Sequence, residues 1–155
     1  MQHKLLANDA GERTYILVLD EGDEAFKCIT DFAESENVTA ASITAIGAFR
    51  SATIAFFEFE NRNYRKIPVE VQSEVLSMLG DVAIDDDGKV SLHLHVVLGF
   101  SDGSTKGGHF LQGHVRPTLE VMLRETRSDL RRKHRPDLGI ALIDLEKATK
   151  ASATV

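Results

Sequence analysis

The sequence predicts an α+β domain in which one helix packs on an antiparallel β-sheet. Three observations carry that prediction. Short segments rich in β-formers, either alternating at period two or nearly continuous in apolar residues, recur between residues 13 and 143. A single stretch, residues 23–37, switches to helical spacing. From residue 52 onward strand follows strand through connections of hairpin length, which implies antiparallel pairing because parallel pairs need long crossovers. The chain has 155 residues, enough for one domain that buries about two-thirds of its unfolded surface.

Taken in order, residues 13–19 (Arg-Thr-Tyr-Ile-Leu-Val-Leu) are a nearly continuous apolar run and read as a strand covered on both faces. In residues 23–37, Phe26, Ile29, Phe32 and Ala33 recur at helical spacing, acidic residues occupy the first turn, and Asn37 ends the helix. Residues 40–47 return to an extended pattern that closes at Gly47. Residues 52–60 and 64–71 flank the polar connection Asn61-Arg62-Asn63 as a hairpin, and Pro68 marks its second arm as an edge. Residues 73–84 fit either a helical turn or a strand; Leu76, Met78, Val82 and Ile84 on one face favour the strand. Asp85-Asp86-Asp87-Gly88 is a turn. It leads into the clearest alternation in the chain, Val90, Leu92, Leu94, Val96 and Leu98 against Ser91, His93, His95, Val97 and Gly99. A turn at residues 101–104 precedes two further strands, 106–111 and 119–123, and an apolar run at 140–143 ends the pattern.

Composition narrows the function classes. The 18 Lys+Arg against 24 Asp+Glu leave a formal charge of −6, which disfavours nonspecific attraction to DNA. No apolar run reaches the roughly 18 residues of a spanning helix, and the N-terminus is too polar for a signal peptide, so a cytoplasmic protein without membrane partners is expected. The single cysteine, Cys28, excludes an internal disulfide and any multi-cysteine metal site. Beside Phe26 and Ile29 on the helix, it reads as a small apolar residue. Any metal must therefore be held by nitrogen and oxygen.

The six histidines supply the nitrogen. Residues two apart on a strand share a face about 6.6 to 7 Å apart, so His93 and His95 project together, away from Leu92, Leu94 and Val96. Two imidazoles at that spacing can lean over one ion. An antiparallel return after the turn at 101–104 brings His109 beside them as a third ligand, and Gly107 and Gly108 remove side chains that would crowd a metal or bound molecule. The alternative for a His-x-His pair is polar decoration of a solvated sheet face. His114, five residues from His109, falls on the opposite face by simple alternation, while His3 and His134 read as solvated. Three imidazoles would leave coordination positions open for water, a carboxylate or a substrate. Glu74 and Glu120 are the carboxylates to consider as fourth ligand or base, each also readable as a surface residue. Residues 85–87 lack the further ligands of a calcium loop.

The segment His93-Leu94-His95-Val96-Val97-Leu98-Gly99, followed by Asp102-Gly103, Gly107-Gly108-His109-Phe110-Leu111, Gly113-His114-Val115 and Pro117-Thr118-Leu119-Glu120-Val121, resembles the PPC (plants and prokaryotes conserved) domain family. Residues 13–19 resemble its first strand, and Glu74-Val75-Leu76-Ser77 with Gly80 its central segment. The resemblance spans about residues 13–145, leaving 1–12 as an N-terminal extension and 146–155 as a C-terminal tail. It implies a compact α+β fold assembled as a homotrimer, and a metal held by His93, His95 and His109, as in bacterial and archaeal members.

Plant members of the family are nuclear proteins that bind AT-rich DNA through an AT-hook outside the domain. This chain has no Arg-Gly-Arg-Pro sequence, and Val71-Gln72-Ser73-Glu74-Val75 stands where plant members have Gly-Arg-Phe-Glu-Ile. Three functions are therefore expected in this order: a trimeric metal-binding domain that holds a small ligand; a DNA-associated regulator; and a structural or interaction trimer. Zinc leads as the metal, with iron or nickel as alternatives. For the second function, Arg124, Arg127, Arg131, Arg132, Lys133 and Arg135 are the phosphate-contact candidates, with a solvated loop as the competing reading of the basic tract. The sequence assigns neither a substrate nor catalysis.

Overall fold

The computed structural model describes residues 1–146, so the tail expected at 146–155 lies outside the described residues except for Glu146. Its elements are β1 (Gln2–Asp9), β2 (Glu12–Asp20), α1 (Ala25–Ser35), β3 (Ala41–Glu58), β4 (Asn63–Val69), β5 (Ser73–Ile84), β6 (Val90–Gly99), β7 (Thr105–Glu125), β8 (Arg132–Arg135) and β9 (Ile140–Ile143). All named pairings are antiparallel. The seven-stranded sheet runs β1-β2-β7-β6-β5-β3-β4, with an additional β7–β3 pairing. That extra pairing closes a ring, because β3 bonds β5 and β7, β5 bonds β6, and β6 bonds β7.

Two strands are longer than the sequence pattern predicts. Residues 40–47 and 52–60, read as separate strands, are one bent strand of 18 residues, and residues 106–111 and 119–123 belong to one of 21. The physical reason lies in the β3–β7 ladder, whose register shifts between Gly47 and Phe49, Phe49 and Ser51, and Thr53 and Ile54. Bulges of this kind bend and twist a strand without ending it. Gly47 is therefore a bend inside a strand, where the sequence reading placed an end.

Residues 2–9, set apart above as part of an extension, form β1 on β2. Every residue of β1 is exposed, so the strand carries no buried face to read; its pairing with β2 is what places it. The helix matches its pattern, burying Ala25, Ile29, Phe32 and Ala33. Its acid acts one step earlier than expected. Glu24 is the N-cap, accepting from Phe26 N at 3.1 Å and Lys27 N at 2.8 Å, and no acidic residue lies in the first turn. The same carboxylate accepts from Gly113 N at 3.0 Å, tying the start of the helix to β7. At the other end Asn37 takes positive φ and Val38 N donates to Ala33 O, a left-handed helix stop.

The core lies between α1 and the sheet and inside the ring. Leu92, Leu94, Val96 and Leu98 of β6 are buried there with Phe49 and Phe110, whose rings stack at 5.5 Å. The alternate side of β6 consequently carries His93, His95 and Val97 outward. Close approach of β5 beneath this strand depends on Gly80, since a Cβ at that position would lie 1.9 Å from His93 O. Gly80→Ala is expected to lower the unfolding free energy by about 2 kcal/mol or more, measurable by urea denaturation, and to do so through β6, the strand that carries the histidines.

Candidate metal centre

Register brings the three histidines together. His95 of β6 lies directly opposite His109 of β7, and His93 shares the face of His95 two residues away. One ligand atom from each of the three rings lies within 4.8 Å of the others. His93 Nε2 and His95 Nε2 are 3.2 Å apart, and the ring centroids are separated by 5.1, 5.3 and 5.4 Å. Two nitrogens bound to one zinc ion lie at most about 4.2 Å apart, twice a Zn–N bond, so the triad needs only a small inward movement of its rings to meet at one ion.

The environment disfavours the protonated form of His93 and His109. Burial, reinforced by His93, His95 and Arg132, pushes the His109 pKa down to about 4. His93 is also lowered, chiefly by burial and then by the Arg132 charge, with Asp81 opposing. Metal ligation needs the unprotonated imidazole, so the same burial that disfavours the proton leaves lone pairs available. His109 Nδ1 is buried without a hydrogen-bond partner. An orphaned buried polar atom costs about 1–3 kcal/mol, and this one belongs to a ring of the triad. On chemistry and spacing, the donor set fits a nitrogen-favouring divalent ion.

Neighbouring side chains fix the geometry. Tyr64 of β4 stacks on His109 at 4.5 Å between ring centroids. Arg132, only 5% exposed, donates through Nη1 to Ser91 O at 2.9 Å and Ser91 Oγ at 2.8 Å, and pairs through Nη2 with Asp81. Asp81 faces His93 across β5 and β6, so this pair anchors β8 behind the first ligand. Sequence reasoning missed Tyr64, Asp81 and Ser91. A usable signal existed for two of them: counting back through the turn at 85–88 pairs Asp81 with His93, and Ser91 shares its face by period two.

The structure places the remaining candidates, some as the sequence reading had them and some elsewhere. Glu74 pairs with Gly99 and lies five residues along β5 from Leu79, the partner of His95, which is about 16 Å at strand rise. Glu120 lies opposite Val18 and Ile46. Neither joins the triad. Gly107 and Gly108 answer to backbone, since a Cβ on Gly108 would sit 2.6 Å from Ala55 O and one on Gly107 3.1 Å from Val96 O. The close pairing of β7 with β3 and β6 is what requires them. Residues 132–135 form a strand; Arg132 is buried inside the protein, and Arg127, Arg131 and Arg135 face Glu12, Asp129 and Asp137 at 3.6, 3.5 and 3.0 Å. His134 lines a cavity shared with His93 and His109, and His3 rests its ring on Phe32 at 5.0 Å. His114 stands outside the triad, its backbone paired with that of Glu24 in an isolated antiparallel β-bridge. Asp85 Oδ1 accepts from Asp87 N and Lys89 N at 2.9 and 2.8 Å, the hydrogen bonding of a turn. Cys28 packs half-buried against the core, and burial raises its thiol pKa.

Comparison with known proteins adds to this geometry. The profile of the Plants and Prokaryotes Conserved (PCC) domain matches residues 7–127. The chain belongs to the PCC domain family. Among solved structures, the PPC protein of Pyrococcus horikoshii is 33% identical with a TM-score of 0.80, over 85% of this chain and 91% of that one. A metal-containing protein from Archaeoglobus fulgidus is 30% identical with a TM-score of 0.78, over 92% and 98%. A protein from Bacteroides thetaiotaomicron, provisionally described as DNA-binding, is 27% identical with a TM-score of 0.86, over 94% and 98%. No curated protein matches the chain. Among the described residues of this PCC domain, no helix is long and apolar enough to cross a membrane.

The depressed His109 pKa has a signed consequence for stability. Between about 4 and the ordinary value of 6.5, the unfolded chain binds more protons than the fold, so unfolding free energy rises with pH across that window. Metal-free His109→Gln is expected to show a flatter pH dependence there, read from urea denaturation between pH 4 and pH 7.

Proposed function

We propose that this PCC-domain protein binds one divalent metal ion per chain through His93, His95 and His109, and holds a small-molecule ligand on the coordination positions those rings leave open. Zinc is the first choice of ion, with iron or nickel as alternatives, because neutral imidazole suits all of them. The observation that carries the reading is the convergence of one ring nitrogen from each of the three histidines within 4.8 Å of the others. The metal-containing relative from Archaeoglobus fulgidus supports it. A bound divalent ion would act as a Lewis acid that polarises an oxygen ligand; the chain's own part is to present neutral rings and hold them through Tyr64 and the Arg132–Asp81 pair.

The assembly belongs to the same proposal. Ile46, Leu76, Leu79 and Met122 are exposed apolar side chains that line one groove together with Glu120. A contiguous apolar surface of this kind marks an interaction face, and we assign it to the contact between three copies of the chain. A cytoplasmic setting completes the reading and is consistent with a lone unpaired cysteine.

DNA binding is the second reading, prompted by the Bacteroides relative. Four of the six basic residues that would serve it face a carboxylate of the same chain: Arg127, Arg131, Arg132 and Arg135. With a net charge of −6, the chain offers little of the uncompensated positive surface that phosphate contacts require.

Metal analysis of protein purified without an affinity tag is expected to find one ion per chain, and His93→Ala to weaken Zn²⁺ affinity by about 100-fold or more while far-UV circular dichroism stays unchanged. Retention of full affinity in that variant would remove the triad from the reading. Sedimentation equilibrium is expected to return the mass of three 17.1 kDa chains, with Leu79→Asp shifting it toward the monomer.

A further inference from the structure

Beside the triad lies a cavity of about 300 Å³, the low end of the roughly 300–1,000 Å³ range of ligand pockets. His93 and His109 form one side. The opposite wall comes from the β8–β9 hairpin, through His134, Ile140 and Leu142. This wall is built from residues 132–143, beyond the 7–127 matched by the family profile. The shape of the pocket is therefore set in large part by that hairpin.

The lining has a consistent chemistry. It contains no Asp or Glu, and the triad contains no carboxylate. Arg132 reaches the cavity, but Asp81 already neutralises it. With three neutral imidazoles, the charge of a divalent ion here would be left uncompensated by the residues that surround it. Ile140 and Leu142 on β9 give the far wall an aliphatic patch beside His134.

Resting on the metal reading above, we infer that the site takes a small organic monoanion, a carboxylate whose oxygen binds the metal and whose short aliphatic chain lies along Ile140 and Leu142 of the β8–β9 hairpin. The charge requirement selects the anionic head over an alcohol or an amine. The aliphatic wall selects a tail, each methylene buried there tightening binding by up to about fourfold. The cavity volume suits a ligand of a few heavy atoms.

The test uses the full chain loaded with Co²⁺, whose visible absorption reports its ligands. Acetate, butanoate, hexanoate, hexan-1-ol and hexylamine are titrated by calorimetry and by the cobalt spectrum. Hexanoate is expected to change the spectrum and to bind at least tenfold more tightly than acetate, hexan-1-ol and hexylamine, with butanoate between acetate and hexanoate. Leu142→Ser and Ile140→Ser, each first shown to take up one Co²⁺ per chain, are expected to reduce the hexanoate advantage over acetate to under threefold. Equal affinity across the carboxylate series, or hexan-1-ol binding as tightly as hexanoate, would overturn the inference while leaving the metal site in place. Absence of Co²⁺ uptake by the unsubstituted chain would overturn both.

Discussion

The pairing of His95 with His109 is the constraint on which the rest of the site depends. Side chains on a strand alternate with period two, so a slip of one residue between β6 and β7 would turn the rings of one strand to the other face. Two features hold the register. The core side of β6 buries Leu92, Leu94, Val96 and Leu98, and a slip would expose all four together. The closed sequence of pairings β3–β5–β6–β7–β3 then ties each strand to two neighbours, so β6 cannot move relative to β7 without breaking its ladder to β5. The histidines occupy the positions left over once the apolar residues have taken the inside.

Glycine has a different part in this arrangement from the one its place in the motif implies. In Gly-Gly-His the two glycines look like clearance for an ion. In the fold, Gly108 makes room for Ala55 O, and Gly80 makes room for His93 O behind the opposite strand. Both allow backbone to approach backbone where the sheet curls into its ring. The triad is therefore held from both sides by strand contacts that tolerate no Cβ, and the placing of the three rings comes from main-chain packing.

What was legible in the sequence follows a physical rule. Period-two alternation revealed β6 because one of its faces is buried and the other is not, and it put His93 and His95 on one side without further help. The antiparallel return then located His109. Patterns that rest on backbone geometry were not legible: β1 is exposed along its whole length, and the bends in β3 and β7 are bulges whose register shifts leave no compositional trace. The basic tract misled for a related reason. Arg132 reads as a surface cation because charged residues are rarely buried without a partner, and its partners, Asp81 and Ser91, are 51 and 41 residues distant in the chain.

The Arg132–Asp81 pair and the lowered histidine pKa values belong to one electrostatic design. A guanidinium buried behind His93 repels a proton from the nearby rings, and burial does the same more strongly. Asp81 answers the guanidinium, so the cation can be buried without an unpaired charge. The acid faces Arg132 and leaves the ligand set purely nitrogenous. Had a carboxylate entered the triad, it would have neutralised part of an ion's charge and held a proton near the imidazoles. Its absence leaves a purely imidazole cluster in which burial and Arg132 weaken the hold of His93 and His109 on a proton.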